Sequence, residues 1–240
     1  MITLRMLGAI SVRSSEGTEF HVVLRRPKQL ALLAYLAAAR PRGFHTRDEL
    51  IGLLWPDLHQ ARARNALRQA VHHLRHALGP EVIPARGTSG LGLDGCHLSS
   101  DVADFEACLE RGDPHAALAA YHGDFLKGFH VPGAVEFSHW LDQERERLRA
   151  NAVAAALSVA QHEEKRGNVV GAARAATQAL QVSPYAESAL RRLVRILDGA
   201  GDRAEAMRLY EAFARRLAAD LGVDPAPETR AAIETIRRRA

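Results

Sequence analysis

The spacing of apolar residues changes repeatedly along the first hundred residues, and each change marks an element. Thr3-Leu4-Arg5-Met6-Leu7 and Ile10-Ser11-Val12 flank Gly8, and Phe20 to Leu24 follows the turn Ser14-Ser15-Glu16-Gly17, so three short strands are predicted. From Pro27 the period becomes helical: Leu30, Leu33, Ala34, Ala37 and Ala38 fall on one face, and Pro41 and Gly43 stop the run. Thr46-Arg47-Asp48-Glu49 is a capping-box pattern that opens a second helix with Leu50, Leu53 and Leu54 inward, and Trp55-Pro56-Asp57 closes it. A third helix is predicted from about Gln60 to Leu78, ending at Gly79-Pro80. Glu81 to Arg86 and Leu91-Gly92-Leu93 then flank Gly87-Thr88-Ser89-Gly90 as a hairpin. Strands, three helices and a hairpin, in that order, make a winged helix-turn-helix.

Beyond Asp94 the pattern is almost wholly helical and one phrase recurs. Arg111-Gly112-Asp113 precedes Ala117, Arg166-Gly167-Asn168 precedes Ala172, and Ala200-Gly201-Asp202 precedes Ala206. The second and third copies are 34 residues apart, the period of tetratricopeptide helix–turn–helix units. Pro184 is expected to start the helix that ends near Gly199, and Pro225 and Pro227 the last one. The predicted fold is mainly α with a small β component: a winged helix over residues 1–95, then an all-α tetratricopeptide-like repeat over residues 96–240.

Charge agrees with this division. Residues 1–93 hold 13 Lys and Arg against 6 Asp and Glu, whereas residues 94–240 hold 19 against 22, and the whole chain is +4. A basic segment beside a slightly acidic one suggests a polyanion partner for the first and a protein partner for the second. No apolar run approaches the ~18–20 residues of a membrane span. The N-terminus lacks the pattern of a secretory leader, and Cys96 and Cys108 follow no metal-like spacing. The expected compartment is the cytoplasm.

The third helix carries the candidate chemistry. On a helical wheel Leu67, Val71, Leu74 and Leu78 form the core stripe, and Arg62, Asn65, Gln69, His72 and His76 lie opposite it. Gln60 to Leu78 contains no Asp or Glu, although a merely solvated face usually mixes both signs. Arginine can grip guanine O6 and N7, and Asn and Gln can grip adenine N6 and N7, each with two hydrogen bonds. Arg62, Asn65 and Gln69 are therefore the expected base readers, with Arg68 and His72 nearer phosphate. Arg25, Arg26 and Lys28 are candidate phosphate clamps, and Arg86 with Thr88 at the hairpin tip forms the candidate wing contact. His72 and His76 also have a metal-ligand spacing, but no carboxylate or thiol on the helix completes a site, so neither metal nor cofactor is expected. No phosphate loop, dinucleotide fingerprint, nucleophile elbow or paired-cysteine motif is present, which argues against an enzyme. The alternative from another class is a repeat scaffold that binds a peptide or small molecule beside a degenerate DNA-binding domain.

Leu54-Trp55-Pro56-Asp57, then Ala63 to Arg75 and Leu78-Gly79, resembles the Streptomyces antibiotic regulatory protein family, which joins an OmpR-like winged helix to a bacterial transcriptional activation domain. Asp101 to Glu106, Tyr121 to Leu126, Phe137 to Arg145 and Leu221 to Thr229 carry the resemblance through the second module. The resemblance implies an activator that binds direct repeats in double-stranded promoter DNA, with two protomers side by side and homodimer contacts through the helical repeats. It also implies recruitment of RNA polymerase through the loop from Trp55 to Gln60, which places Trp55, Asp57 and His59 at that contact.

Overall fold

The computed structural model describes residues 1–87 and 90–238. By internal contacts the chain forms two compact units, Met1–Arg111 with Ala119–Leu148 and Gly112–Leu118 with Arg149–Ala240.

In the first unit, β1 (Ile2–Arg5) pairs antiparallel with β2 (Ser11–Ser14), Leu4 opposite Val12, and parallel with β6 (Leu98–Ser100). Ile2 and Leu4 point inward and Arg5 outward, the alternation expected of a sheet with one buried face. The segment read as a third strand is instead a short helix, α1 (His21–Leu24). After the Arg13–Glu19 bridge the pairing stops, and the turn drops Val23 into the core while Val22 stays exposed. Burial in this corner outweighed the β-propensity of the valines.

Helix α2 (Pro27–Ala38) follows, buried on most sides. Helix α3 (Arg47–Leu54) opens with the predicted reciprocal cap: Glu49 N donates to Thr46 Oγ1 and Thr46 N to the Glu49 carboxylate. Helix α4 (Gln60–Leu78) has the predicted bounds and buries Ala63, Leu67, Ala70, Val71, Leu74 and Leu78. The wing is shorter than expected. Pro80–Val82 forms a 3-10 turn, leaving strands β4 (Ala85–Arg86) and β5 (Gly90–Leu91). Strand β3 (His45–Thr46) adds to β5, giving the order β3-β5-β4.

The same unit extends past residue 95, so the division by contact differs from the division by sequence pattern. Helix α5 (Asp101–Glu110) starts at the end of β6, and its Asp101 carboxylate accepts from the amides of Met6 and Leu7, each at 2.9 Å. Gly8 and Gly123 let two backbones meet: a Cβ on Gly123 would stand 3.2 Å from Gly8 Cα, and one on Gly8 would stand 3.0 Å from His122 O. Leu126 N then donates to Met6 O at 2.7 Å. In helix α7 (Val135–Lys165), Arg145 caps this loop by donating to the carbonyls of Phe125 and Leu126, while Trp140 packs edge-on against Tyr35 and Phe125.

One buried charge joins these parts. Glu106 on α5 is 3 % exposed and accepts from Arg40 and Arg42 just after α2 and from Arg147 on α7. Burial alone would raise its pKa, but the three guanidiniums outweigh this and hold it below the usual carboxylate value.

In the second unit the recurring phrase is a repeated cap. Asp113, Asn168 and Asp202 accept from the amides three residues on, opening α6 (Pro114–Ala120), α8 (Val169–Val182) and α10 (Arg203–Leu221). The preceding Gly112, Gly167 and Gly201 have φ of +70°, +74° and +84°, which a side chain would strain. Helix α9 (Glu187–Gly199) lies against both α8 and α10, and α11 (Pro227–Arg238) closes the array. Helix α9 begins three residues after Pro184, whereas α11 begins at Pro227 as expected. The alanines of the phrase, Ala117, Ala172 and Ala206, are fully buried, so the helices can approach closely. Among the described residues no helix is long and apolar enough to cross a membrane.

Removing the Glu106 carboxylate leaves three arginines facing one another. Glu106→Ala is expected to lose about 2–3 kcal/mol of stability in denaturant unfolding, less than for a fully buried pair because those arginines stay 29–45 % exposed. A depressed carboxylate pKa contributes stability above its unfolded value and loses it as pH falls through the folded value. The gap between the parent and Glu106→Gln should therefore be widest near neutrality and close below about pH 4.

Candidate nucleic-acid interface

Helix α4 supplies the site, because its apolar stripe fixes which side chains face out. With Leu67, Val71 and Leu74 turned into the core, Arg62, Asn65, Arg68, Gln69, His72 and His76 are all exposed. No acidic residue stands in the first turn, and among the described residues no side chain accepts from the opening amides. The positive end of the helix dipole and these amides therefore face solvent beside Arg62.

The neighbouring basic residues divide into groups. Arg26 lies beside α4: it donates to Nδ1 of His73 at 3.1 Å, and Gln29 Nε2 donates to the same atom at 3.3 Å. Because a guanidinium can only donate, Nδ1 is the acceptor and the ring proton sits on Nε2. Arg25 is exposed just after α1. Lys28 points elsewhere: its ammonium sits 5.6 Å above the Trp55 ring, and burial pulls its pKa below the ordinary value, partly offset by Asp57. Arg86 on β4 stacks over Phe44 at 5.9 Å. Thr88 lies outside the described residues.

The loop from Trp55 to Gln60 splits similarly. Trp55 is 7 % exposed and supports the loop from beneath, whereas Asp57, Leu58 and His59 face outward. Asp57 also borders the backbone near Gly133, where a Cβ would stand 3.4 Å from its Oδ2.

Sequence reasoning missed two cations at this interface. Arg47 in the first turn of α3 and Arg64 on α4 line a groove of about 550 Å³ together with Arg68. Asp48 faces the same groove and pairs with Arg64 at 3.7 Å. Helix α4 is acid-free in sequence, but α3 brings an acid to its flank. The exposed capping-box position of Asp48 was the available signal. Arg75, on the edge of the polar face, is structural: its guanidinium donates to Ile83 O at 3.0 and 2.6 Å.

A polar, acid-free helix face turned outward is thus followed in the chain by capped helical repeats. The bacterial transcriptional activator domain profile matches residues 100–237, and the chain belongs to that family. It is 29 % identical over 231 residues to the transcriptional regulatory protein EmbR of Mycobacterium tuberculosis, covering 89 % of this chain and 58 % of EmbR. It is 30 % identical over 218 residues to the regulatory protein AfsR of Streptomyces coelicolor, covering 84 % of this chain and 21 % of AfsR. The chain thus spans little more than half of the first relative and a fifth of the second. A solved structure of M. tuberculosis EmbR in complex with a low-affinity phosphopeptide shares the fold, with a TM-score of 0.71 at 24 % identity, covering 99 % of this chain and 65 % of that one.

The bond from Arg26 makes a checkable statement about His73. Long-range ¹H–¹⁵N spectra at pH 8 should show His73 as the Nε2–H tautomer, and only removal of both donors, Arg26→Met with Gln29→Leu, should shift the ring toward a mixture of tautomers.

Proposed function

We propose that the chain is a sequence-specific DNA-binding transcriptional regulator, acting as an activator, with residues 1–95 carrying the DNA contact and residues 96–240 the regulatory part. The observation that carries this reading is the outward face of α4, where Arg62, Asn65 and Gln69 stand exposed on a helix without acidic residues. Such a helix fits the major groove, and its N-terminal half reaches the base edges. Arg68, His72, Arg25 and Arg26 flank it toward phosphate, Arg86 stands on the wing strand, and Thr88 is proposed as a further contact. Lys28 serves chiefly to hold Trp55 and the loop that follows. That loop presents Asp57 and His59 as the surface for RNA polymerase. Two protomers on direct repeats, joined through the helical repeats, complete the proposed assembly.

The test is DNA binding by the full chain, using a duplex enriched from a random pool. Affinity should fall steeply with salt, as counterions released from neutralised phosphates are re-bound. Arg62→Ala and Gln69→Ala should each lose about ten- to hundredfold on the selected duplex and little on unrelated DNA. Arg25→Ala should weaken both duplexes alike and reduce the salt slope by about one. If Arg62→Ala and Gln69→Ala bind the selected duplex like the parent, the assignment of α4 is wrong.

A further inference from the structure

The helical repeats enclose a groove that the DNA-binding reading does not use. It has a volume of about 460 Å³ and lies where α8, α9 and α10 converge. Its floor is Leu180, Leu190, Leu193, Leu197, Leu209 and Phe213. Two hydrophobic clusters meet here. One joins α7, α8 and α9, the other α9, α10 and α11, and Leu180, Leu197 and Leu209 contribute to both while only partly buried. These leucines keep an open side toward the groove, so an apolar body seated there would remove their surface from water and touch both clusters at once.

The mouth is polar and its charges sit at opposite ends. Glu205, in the first turn of α10, is engaged by Arg208, whereas Arg216 lies eleven residues further on, about 16 Å along the helix. Gln181 borders the groove as well. Tyr185, close enough to Arg216 to feel its charge, donates to Asp220, so that carboxylate already has a hydrogen-bond donor. An anionic group is thus favoured at the Arg216 end over the Glu205 end, where the carboxylate and Arg208 already satisfy each other, which orients the occupant.

The size selects the kind of occupant. Sites for small molecules are typically about 300–1,000 Å³, mainly apolar, with a few polar groups that fix orientation. A stable protein interface needs roughly 20–30 residues a side, more than the thirteen that line this groove. The geometry points to a receptor site for a small amphiphilic carboxylate, its acyl or ring body on the leucine floor and its carboxylate on Arg216. This site lies within the second unit and is independent of the reading of α4. It gives the regulator an input for a small metabolite of mixed polarity.

The test uses the full chain and three probes below their micellar concentrations: decanoate, decanol and decyltrimethylammonium. Decanoate should shift the methyl resonances of Leu180, Leu197 and Leu209, and a hundredfold excess over its Kd should raise Tm by about 5–10 °C. It should bind at least tenfold more tightly than decanol, and the cationic probe most weakly. Arg216→Gln should abolish the preference for decanoate over decanol, and Ala212→Phe, a filling change at an exposed lining position, should abolish binding of both without lowering the ligand-free Tm. The absence of leucine shifts with decanoate would overturn the proposal, as would unchanged affinity in Ala212→Phe. Concentration-dependent dimerisation abolished by Ala212→Phe, with no response to decanoate, would assign the groove to a second copy instead.

Discussion

A buried carboxylate is costly unless its charge is met, and the first unit is organised around meeting one. Glu106 is almost inaccessible, and the guanidiniums that satisfy it come from separate segments: Arg40 and Arg42 after α2, and Arg147 on α7. Neither segment can leave without stranding charge. The cluster therefore fixes the end of α2 against the first helix of the activator domain. Because α2 packs on α3 and α4, the base of α4 inherits that position. The Gly8–Gly123 approach and the Arg145 cap reinforce the same junction through backbone atoms, which tolerate little displacement.

Given that frame, the chemistry of α4 follows from its register. The leucine and valine stripe admits one rotation of the helix, and that rotation turns Arg62, Asn65 and Gln69 outward while leaving Arg75 to brace Ile83 and His73 to receive Arg26. Cations close in sequence thus take unlike tasks. Lys28, two residues beyond Arg26, lies over Trp55 and supports the loop, while Arg26 lies beside α4. Charge alone does not separate these roles; the neighbour each side chain reaches does.

Much of this was legible from local pattern. The α4 bounds, the Thr46–Glu49 cap and the Gly–Asp/Asn turns before α6, α8 and α10 rest on interactions spanning a few residues, so sequence spacing reports them directly. The fold class was readable for the same reason, and the face of α4 followed from its period. Less legible was what long-range contact decides. His21 to Leu24 turned helical because a core corner accepted Val23, and the wing strands shortened because Pro80–Val82 took a tight turn. The compact unit crosses residue 95 because β6 pairs with β1, residues that lie 96 apart in the chain at Ile2 and Leu98. Asp48 beside Arg64 escaped notice because it belongs to a different helix.

The most direct measurement is a structure of the full chain bound to a duplex it selects from a random pool. The account predicts α4 in the major groove, with Arg62, Asn65 and Gln69 within hydrogen-bonding distance of base edges and Arg26 near phosphate. A complex in which α4 faces solvent, with DNA held by another surface, would contradict it.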